Sequence, residues 1–239
     1  MELINQAPAT EKQHPFNDCI ELRDVVVNYE QFKLGPINLK FEKGKKYALI
    51  GHSGSGKSTI LNLLMQYESY EEGEILIDGI SLKELESASM MMCLNQAEHL
   101  FLGSFLENIS VYDSYDTSEL KSVILNTNCE RLNQLSTKES CKNLSGGEKQ
   151  LVNFVKSIMS KHSILLLDES FSALDKITKS KMYAFMYQQS DKLLVAVTHD
   201  LTPQHLEKFD EVIIFNDGVI QKQGKFEEVE QSSILSESA

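Results

Sequence analysis

A glycine-rich segment in the first quarter of the chain constrains what this sequence can fold into more than any other feature. It reads Gly51-His-Ser-Gly-Ser-Gly-Lys-Ser58 and follows the spacing G-x-x-x-x-G-K-[ST]. A short apolar run at residues 46–50 precedes it, and an apolar pattern of helical period, with Ile60 and Leu64, follows it. The sequence therefore predicts a strand, a tight loop and a helix in direct succession.

A loop of this composition in this context is a phosphate-binding loop, or P-loop. Its glycines let backbone N–H groups curl around phosphate, and the helix that follows adds the positive end of its dipole. Lys57 supplies a charge for the β and γ phosphates and Ser58 a ligand for Mg²⁺, so we predict that ATP and Mg²⁺ bind here. A flexible turn with chance glycines is the alternative, and the flanking strand and helix argue against it. The loop residues predicted to bind the nucleotide are Gly51, Ser53, Gly54, Ser55, Gly56, Lys57, Ser58 and Thr59.

Two carboxylates end a second apolar run, Ile164-Leu-Leu-Leu-Asp168-Glu169. At the C-terminal end of a parallel strand, Asp168 would hold the Mg²⁺ shell and Glu169 would polarise the water that attacks the γ-phosphorus. Strands often end in acidic turns, so the pair alone is ambiguous. Beside a P-loop, the catalytic interpretation is favoured.

A third motif, Leu144-Ser-Gly-Gly-Glu148, stands directly before an apolar pattern of helical period. Ser145 is suited to cap that helix, and Gly146 and Gly147 would expose N–H groups at its N-terminus, which makes an anion site. The motif and its position shortly before Asp168 resemble the signature motif of the ABC ATPase superfamily. An ordinary serine cap after a glycine turn is the alternative.

The resemblance extends from residue 20 to about residue 230 and covers four further positions. Tyr29 resembles the aromatic residue that stacks on adenine, Gln96 the glutamine of the Q-loop, and His199 the switch histidine that contacts the γ-phosphate. Asp175 ends a segment, Ser172-Ala-Leu-Asp175, that resembles the D-loop. Each residue alone also has a purely structural explanation, but their order in one chain favours the functional one.

The resemblance implies a head-to-tail dimer in which each ATP lies between the P-loop of one copy and the signature motif of the other. It implies catalytic roles for Glu169, His199, Lys57 and Gln96. It implies Mg²⁺ contacts from Ser58, Gln96 and Asp168. It also implies nucleotide contacts from Tyr29, Ser145, Gly146, Gly147 and Asp175.

Two segments are similar to the exporter branch of the superfamily, Ile75-Leu-Ile-Asp-Gly79 and Leu100-Phe-Leu-Gly-Ser-Phe-Leu-Glu-Asn-Ile109. The expected partner is therefore the transmembrane domain of an ABC exporter, in the same polypeptide but outside this sequence. Three departures from the family pattern stand out. Glu148 replaces the usual glutamine, Ser170-Phe171 replaces a small residue or proline before threonine, and residues 136–143 lack the glycine-rich exporter pattern.

Composition limits the classes of partner. The formal net charge of −12 argues against nucleic acid or an anionic lipid surface as the main partner, because both require a positive face. No apolar run approaches the roughly 20 residues that cross a bilayer, and no secretory signal is visible. The four cysteines form no Cys-x-x-Cys pair, which fits reduced thiols. We expect a soluble fragment that works at the cytoplasmic face of the cell membrane.

The predicted fold is α/β, a P-loop NTPase (RecA-like) core with an antiparallel β subdomain and an inserted α-helical subdomain. Residues 1–18 read as a polar linker or tail, and residues 19–239 as the ATP-binding domain, with the helical subdomain at about 97–160. The helical character is expected to begin at residue 81. Gly35-Pro36 predicts a break between the first two strands, and Asn216-Asp-Gly218 predicts a hairpin turn.

Two other functions remain open on the sequence alone. One is a soluble ABC ATPase that serves no transporter, against which the acidic charge and the exporter-like segments argue. The other is a module that senses ATP without turnover, against which the presence of Lys57, Asp168, Glu169 and His199 argues.

Overall fold

The computed structural model describes residues 15–95, 100–110 and 116–230. The strands are β1 (Cys19–Asn28), β2 (Lys33–Glu42), β3 (Lys46–Gly51), β4 (Glu72–Ile77), β5 (Ile80–Ser81), β6 (Met91–Leu94), β7 (Ile164–Asp168), β8 (Leu193–Val197), β9 (Glu211–Asn216) and β10 (Val219–Gly224). The α-helices are α1 (Lys57–Leu64), α2 (Phe105–Ile109), α3 (Thr117–Asn126), α4 (Glu130–Leu135), α5 (Gly146–Met159), α6 (Lys176–Tyr187), α7 (Pro203–Leu206) and α8 (Phe226–Val229). Within the described ranges, no helix is both long enough and apolar enough to cross a membrane.

The first sheet is antiparallel and has the order β2-β1-β4-β5. The predicted break at Gly35-Pro36 is wrong, because β2 runs through both residues. β2 is an edge strand, and its pairing with β1 shifts register between Val25 and Val27, opposite this segment. A proline, which lacks an N–H group, is tolerated in an edge strand and at such a bulge.

The second sheet has the order β10-β9-β3-β8-β7-β6. β3 pairs in parallel with β8 and β9, and β7 pairs in parallel with β8 and β6. β10 returns antiparallel to β9 across the predicted turn at Asp217 and Gly218. The predicted α/β core with an antiparallel sheet beside it is confirmed.

Alternate residues of the parallel strands supply two cores. Tyr47 and Leu49 of β3 face α1 and the antiparallel sheet, whereas Ala48 and Ile50 face a second cluster that includes α5 and α6. α1 therefore lies between the two sheets, with four apolar side chains buried: Ile60, Leu61, Leu63 and Leu64. Strands buried on both faces read as continuous apolar runs, which is why β3, β7 and β8 are visible in the sequence.

β6, by contrast, is not visible in the sequence. We expected helical character from residue 81 onward, and this prediction is wrong at Met91–Leu94, which form a strand. The strand has only four residues, three of them methionine or cysteine, and methionine favours helices in isolation. Its strand conformation comes from parallel pairing with β7, from Met91 opposite Ile164 to Leu94 opposite Leu167. Tertiary pairing overrides local propensity here.

Helices α2 to α5 lie between β6 and β7 in the chain, in the region predicted to form the helical subdomain. The boundaries of that subdomain and of the leader stay predictions, because residues 1–14, 96–99 and 111–115 lie outside the described residues. Phe16 is buried in the core beside α1. The N–H groups of Asn17 and Asp18 donate to the Asp78 carboxylate at 2.7 and 2.8 Å.

Two hairpin turns have the same sequence and nearly the same backbone. Asp78-Gly79 joins β4 to β5 and Asp217-Gly218 joins β9 to β10, with φ of 51° and 80° in the first and 45° and 80° in the second. Both are the positive-φ pairs typical of two-residue hairpins. A Cβ on Gly218 would lie 2.0 Å from the Lys33 carbonyl oxygen, whereas a Cβ on Gly79 would meet no atom within 4 Å.

This difference predicts unequal costs for one substitution. Gly79→Ala should lower the free energy of unfolding by about 1 kcal/mol, the strain of a left-handed alanine. Gly218→Ala carries the same strain and also forces the backbone away from Lys33, so it should cost about 3 kcal/mol or more. Urea unfolding of both variants measures the two values. Equal costs would show that the close approach at Gly218 is unimportant.

Candidate functional site

The P-loop is held close to its surroundings at two glycines. Gly51 ends β3 with φ 145°, and a Cβ there would lie 2.2 Å from the Phe215 carbonyl oxygen. Gly56 caps α1 in the left-handed region with φ 102°, and a Cβ there would lie 2.5 Å from Leu34 Cδ1. Only glycine fits these positions without displacing a neighbour.

Lys57 begins α1 and is almost fully buried at 5% exposure. Its Nζ donates to the carbonyl oxygens of Gly51 and His52 at 2.9 and 2.6 Å. Burial lowers the pKa of Lys57, while the nearby carboxylates of Glu169 and Asp168 oppose that shift. A buried ammonium held by neutral carbonyl oxygens within a glycine cradle fits a polyanionic ligand.

Ser58 and Asp168 form the second part of the site. Ser58 Oγ donates to Asp168 Oδ1 at 3.0 Å, across a sequence separation of 110 residues. Burial raises the pKa of Asp168, and the hydrogen bond from Ser58 lowers it in part. A hydroxyl and a carboxylate are oxygen ligands of the kind that Mg²⁺ prefers, so this pair fits the predicted metal.

Glu169 and His199 form the third part. Glu169 follows β7 with a left-handed φ of 49°, and its Oε1 lies 2.6 Å from His199 Nε2. Its N–H group donates to the Val197 carbonyl oxygen of β8 at 3.3 Å. Both side chains remain partly exposed, 52% for His199 and 35% for Glu169, so they are accessible to a ligand and to water.

A single cavity of about 450 Å³ contacts each of the three parts through Lys57, Ser58 and the Glu169–His199 pair, whereas Gly51, Ser55 and Asp168 are not among its lining residues. Tyr29 lies on its wall with 40% exposure, and its ring is 6.0 Å from the ring of Phe32. Two adjacent aromatic rings suit a flat heterocycle. Phe32 belongs to no recognisable sequence motif, so the sequence alone did not identify it as a site residue. The cavity is lined by Tyr29, Phe32, Ser53, Gly54, Gly56, Lys57, Ser58, Thr59, Glu169 and His199.

Ser145 caps α5 in a reciprocal capping box. Its Oγ accepts from the Glu148 N–H at 3.3 Å, and its own N–H donates to Glu148 Oε2 at 2.9 Å. Hydrogen bonding from Ser145 and from Lys138 lowers the pKa of Glu148 to about 2. None of residues 144–148 lines the cavity described above, so the chain does not bring its signature segment to its own P-loop.

The predicted D-loop packs directly on the signature segment. A Cβ on Gly147 would lie 2.8 Å from the Ala173 carbonyl oxygen, and Gln150 Oε1 accepts from the Ala173 N–H at 3.1 Å. Asp175 caps α6, accepting from Ile177 and Thr178 N–H groups. The role of Gln150 was not visible in the sequence, because its partner lies 23 residues away.

The predicted Gln96 lies outside the described residues. The strand that leads toward it, β6, is nevertheless bonded to the residue after Glu169, because Ser170 Oγ donates to the Leu94 carbonyl oxygen at 2.6 Å. Ser170 is one of the departures from the family pattern. This bond explains how a hydroxyl is accommodated at a position 2% exposed.

A buried histidine supports the segment that carries His199. His205 Nε2 lies 3.3 Å from Thr198 Oγ1, and its Nδ1 lies 3.2 Å from the Tyr187 hydroxyl. The Asp200 N–H also donates to Thr198 Oγ1, at 3.1 Å. Burial lowers the pKa of His205 to about 4, with Asp200 opposing and Lys179 reinforcing the shift.

Comparison with known proteins gives matches over most of the chain. The family model described as ABC transporter matches residues 34–172, which is more than half of the sequence. The ATP-dependent lipid A-core flippase of Escherichia coli (strain K12) is 32% identical over 221 residues, 86% of this chain and 38% of that protein. The protein of the same name from Haemophilus influenzae (strain 86-028NP) is 29% identical over 231 residues, 90% of this chain and 39% of that protein.

A solved structure described as a bacterial Atm1-family ABC exporter with ATP bound is similar with a TM-score of 0.80 and 26% sequence identity. The similarity covers 92% of this chain and 41% of that chain. The chain therefore spans about two fifths of the length of the proteins that it matches.

The buried His205 predicts a pH dependence of stability. Its pKa is about 4 in the folded state and about 6.5 when exposed, so the unfolded chain takes up the proton first. Well above pH 6.5, His205 is neutral in both states and does not make the free energy of unfolding depend on pH. As the pH falls toward 4, the free energy of unfolding decreases, by about 2 kcal/mol at pH 5. Urea unfolding of His205→Phe at pH 7.5 and pH 5 should show a smaller loss than the parent chain. An equal loss would contradict this prediction.

Proposed function

This chain belongs to the ABC transporter family, as its motifs predict, and on that basis we propose that it is the ATP-hydrolysing motor domain of an ABC exporter. The observation that carries the proposal is the convergence of three groups on one cavity. These are the buried cation of Lys57, the hydroxyl of Ser58 with Asp168 hydrogen-bonded behind it, and the Glu169–His199 pair. Phosphate binding, metal binding and water activation require these three kinds of group.

The nucleotide is bound from both ends of the cavity. Tyr29, with Phe32 beside it, stacks on the adenine ring. The P-loop N–H groups surround the phosphates, and Lys57 exchanges its carbonyl partners for phosphate oxygens. That exchange needs no movement of α1, because Lys57 already lies in the loop that it serves.

Magnesium ion, when bound, would neutralise charge on the β and γ phosphates. Ser58 and Asp168 would hold it directly or through water, together with Gln96. Because burial already disfavours the charged form of Asp168, a cation at this position would stabilise the carboxylate.

Glu169 acts as the base for the attacking water, and His199 holds the Glu169 carboxylate and contacts the γ-phosphate. The short Glu169 Oε1 to His199 Nε2 contact orients the carboxylate. The water transfers a proton to Glu169 as its oxygen attacks the γ-phosphorus. The bond from that phosphorus to the β–γ bridging oxygen breaks, and ADP and inorganic phosphate are the products.

The signature segment completes the site of a second copy. Ser145 and Gly146 are exposed at the N-terminus of α5, away from the cavity of their own chain. A head-to-tail dimer brings them, with Gly147 and Asp175, to the nucleotide of the neighbour. Two ATP molecules then bridge two copies, and hydrolysis weakens the bridge.

Transport itself would belong to the whole protein, of which this chain supplies the motor. The relatives are lipid A-core flippases more than twice as long as this chain, which supports a transmembrane domain as partner. An antibody raised against the chain should detect, in native membranes, either a polypeptide more than twice its length or a co-purifying membrane-spanning subunit. Recovery only from the soluble fraction, at the length of the 239-residue chain, would favour a soluble ABC ATPase instead.

Glu169→Gln should trap the ATP-bound dimer. The amide accepts no proton, so hydrolysis should fall about 100-fold or more. The P-loop of one copy and the signature segment of the other would still contact the phosphates. Sedimentation velocity in saturating MgATP should show a dimer, and MgADP should leave a monomer. A monomer in MgATP would contradict the head-to-tail site.

Lys57→Ala provides the complementary result. Loss of the cation should weaken ATP binding and lower phosphate release by about 100-fold. Introduced into the Glu169→Gln chain, it should also abolish the MgATP-dependent dimer.

Steady-state phosphate release by the unsubstituted chain separates the motor from an ATP sensor, which would show none.

A further inference from the structure

Arg131 lies against the signature serine. It is one of only two arginines in the 239 residues. Its side chain donates from Nη2 to Ser145 Oγ at 3.0 Å, although 14 residues separate the two. Leu132 and Leu135 of α4 are buried in the core, so the helix is anchored while Arg131 stays exposed.

The proton of the Ser145 hydroxyl is already committed. Ser145 Oγ lies 2.9 Å from Glu148 Oε2, and a carboxylate oxygen accepts but does not donate. The same Oγ accepts from Arg131 and from the Glu148 N–H. Because a hydroxyl has a single proton, Ser145 donates to a phosphate oxygen only by giving up Glu148. A guanidinium carries further N–H groups and keeps donors available.

The charges around Ser145 also indicate Arg131 as the group available to an anion. Glu148 puts a negative charge at the N-terminus of α5, where the resemblance to the family leads us to expect a neutral glutamine. Lys138 Nζ, 3.0 Å from Glu148 Oε1, balances that charge. Among the described residues, no carboxylate forms an ion pair with Arg131, so its charge remains to attract an anion.

We propose that Arg131 donates directly to the terminal phosphate of the ATP that a second copy of this chain presents to Ser145. The proposal rests on the head-to-tail dimer of the proposed function. Arg131 contributes nothing to the first encounter of ATP with the P-loop of its own chain. It strengthens the later contact, in which the signature segment of one copy meets the ATP that is bound to the other copy.

The test uses the full 239-residue chain carrying Glu169→Gln. Sedimentation equilibrium in saturating MgATP gives the dimer dissociation constant. Arg131→Ala should raise it by about 100-fold, because the dimer loses one hydrogen bond to a charged group at each of its two ATP sites, about tenfold for each. ATP binding at protein concentrations below dimerisation, followed with a fluorescent ATP analogue, should not change. Arg131→Lys keeps the charge but loses the planar fork, so it should give an intermediate constant.

Arg23→Ala is the matched control. Arg23 is the other arginine, exposed on β1, where it pairs with Glu21 and Glu74. Its removal changes the net charge by the same amount as Arg131→Ala. The dimer dissociation constant should therefore stay within about twofold of the parent value, the scatter expected for a surface substitution.

A double-mutant cycle separates direct contact from support of Ser145. If Arg131 touches phosphate, Arg131→Ala should still weaken the dimer severalfold in a Ser145→Ala chain. If Arg131 only positions the serine, the second substitution should add nothing, and the proposal is overturned. Loss of the MgATP-dependent dimer in the Glu169→Gln parent itself would overturn the head-to-tail site and the Arg131 contact together. A normal dimer that is insensitive to Arg131→Ala overturns only the Arg131 contact.

Discussion

Parallel pairing of three neighbouring strands is the constraint on which the rest of the structure depends. Leu49 of β3 lies opposite Val197 of β8, and Val197 lies opposite Asp168 of β7. The P-loop begins at the end of β3, Asp168 and Glu169 lie at the end of β7, and His199 follows β8 by two residues, so this register delivers them to one edge of the sheet. A slip of one residue in any of these strands would exchange its two buried faces, which pack against different cores. The same apolar contacts that stabilise the fold therefore fix the geometry of the site.

The polar groups of the site are satisfied in a way that a ligand can replace. Lys57 is held by carbonyl oxygens, Asp168 by the Ser58 hydroxyl and Glu169 by His199. Each interaction removes the penalty of an unsatisfied buried or half-buried group without forming a fully buried ion pair, which would be harder to open. A bound nucleotide would replace the neutral carbonyl partners of Lys57 with charged phosphate oxygens. The geometry is thus preorganised, because the groups change partners more than positions.

The sequence predicted those features of the fold and site that lie within a few consecutive residues. It did not predict features that depend on residues far away in the chain. The P-loop, the strand that ends at Asp168 and the cap at Ser145 each lie within a few consecutive residues, so composition and spacing revealed them. The strand at Met91–Leu94 did not show, because only its pairing with β7 makes it a strand. Phe32 and Arg131 were missed for the same reason. Each acts through a neighbour that the fold supplies, and no local pattern marks it.

The proposed head-to-tail dimer has to form in spite of the acidic composition of the chain. Two chains with a formal net charge of −12 each repel one another, and ATP brings further negative charge to the interface. Association then requires local cations where the polyphosphate lies. Lys57 supplies one from the chain that first binds ATP, and Arg131 would supply another from the chain that closes on it. Removal of the terminal phosphate takes away the anion that these cations share, while the repulsion between the two chains persists. The same charge that opposes nonspecific association would thus help the dimer to open after hydrolysis.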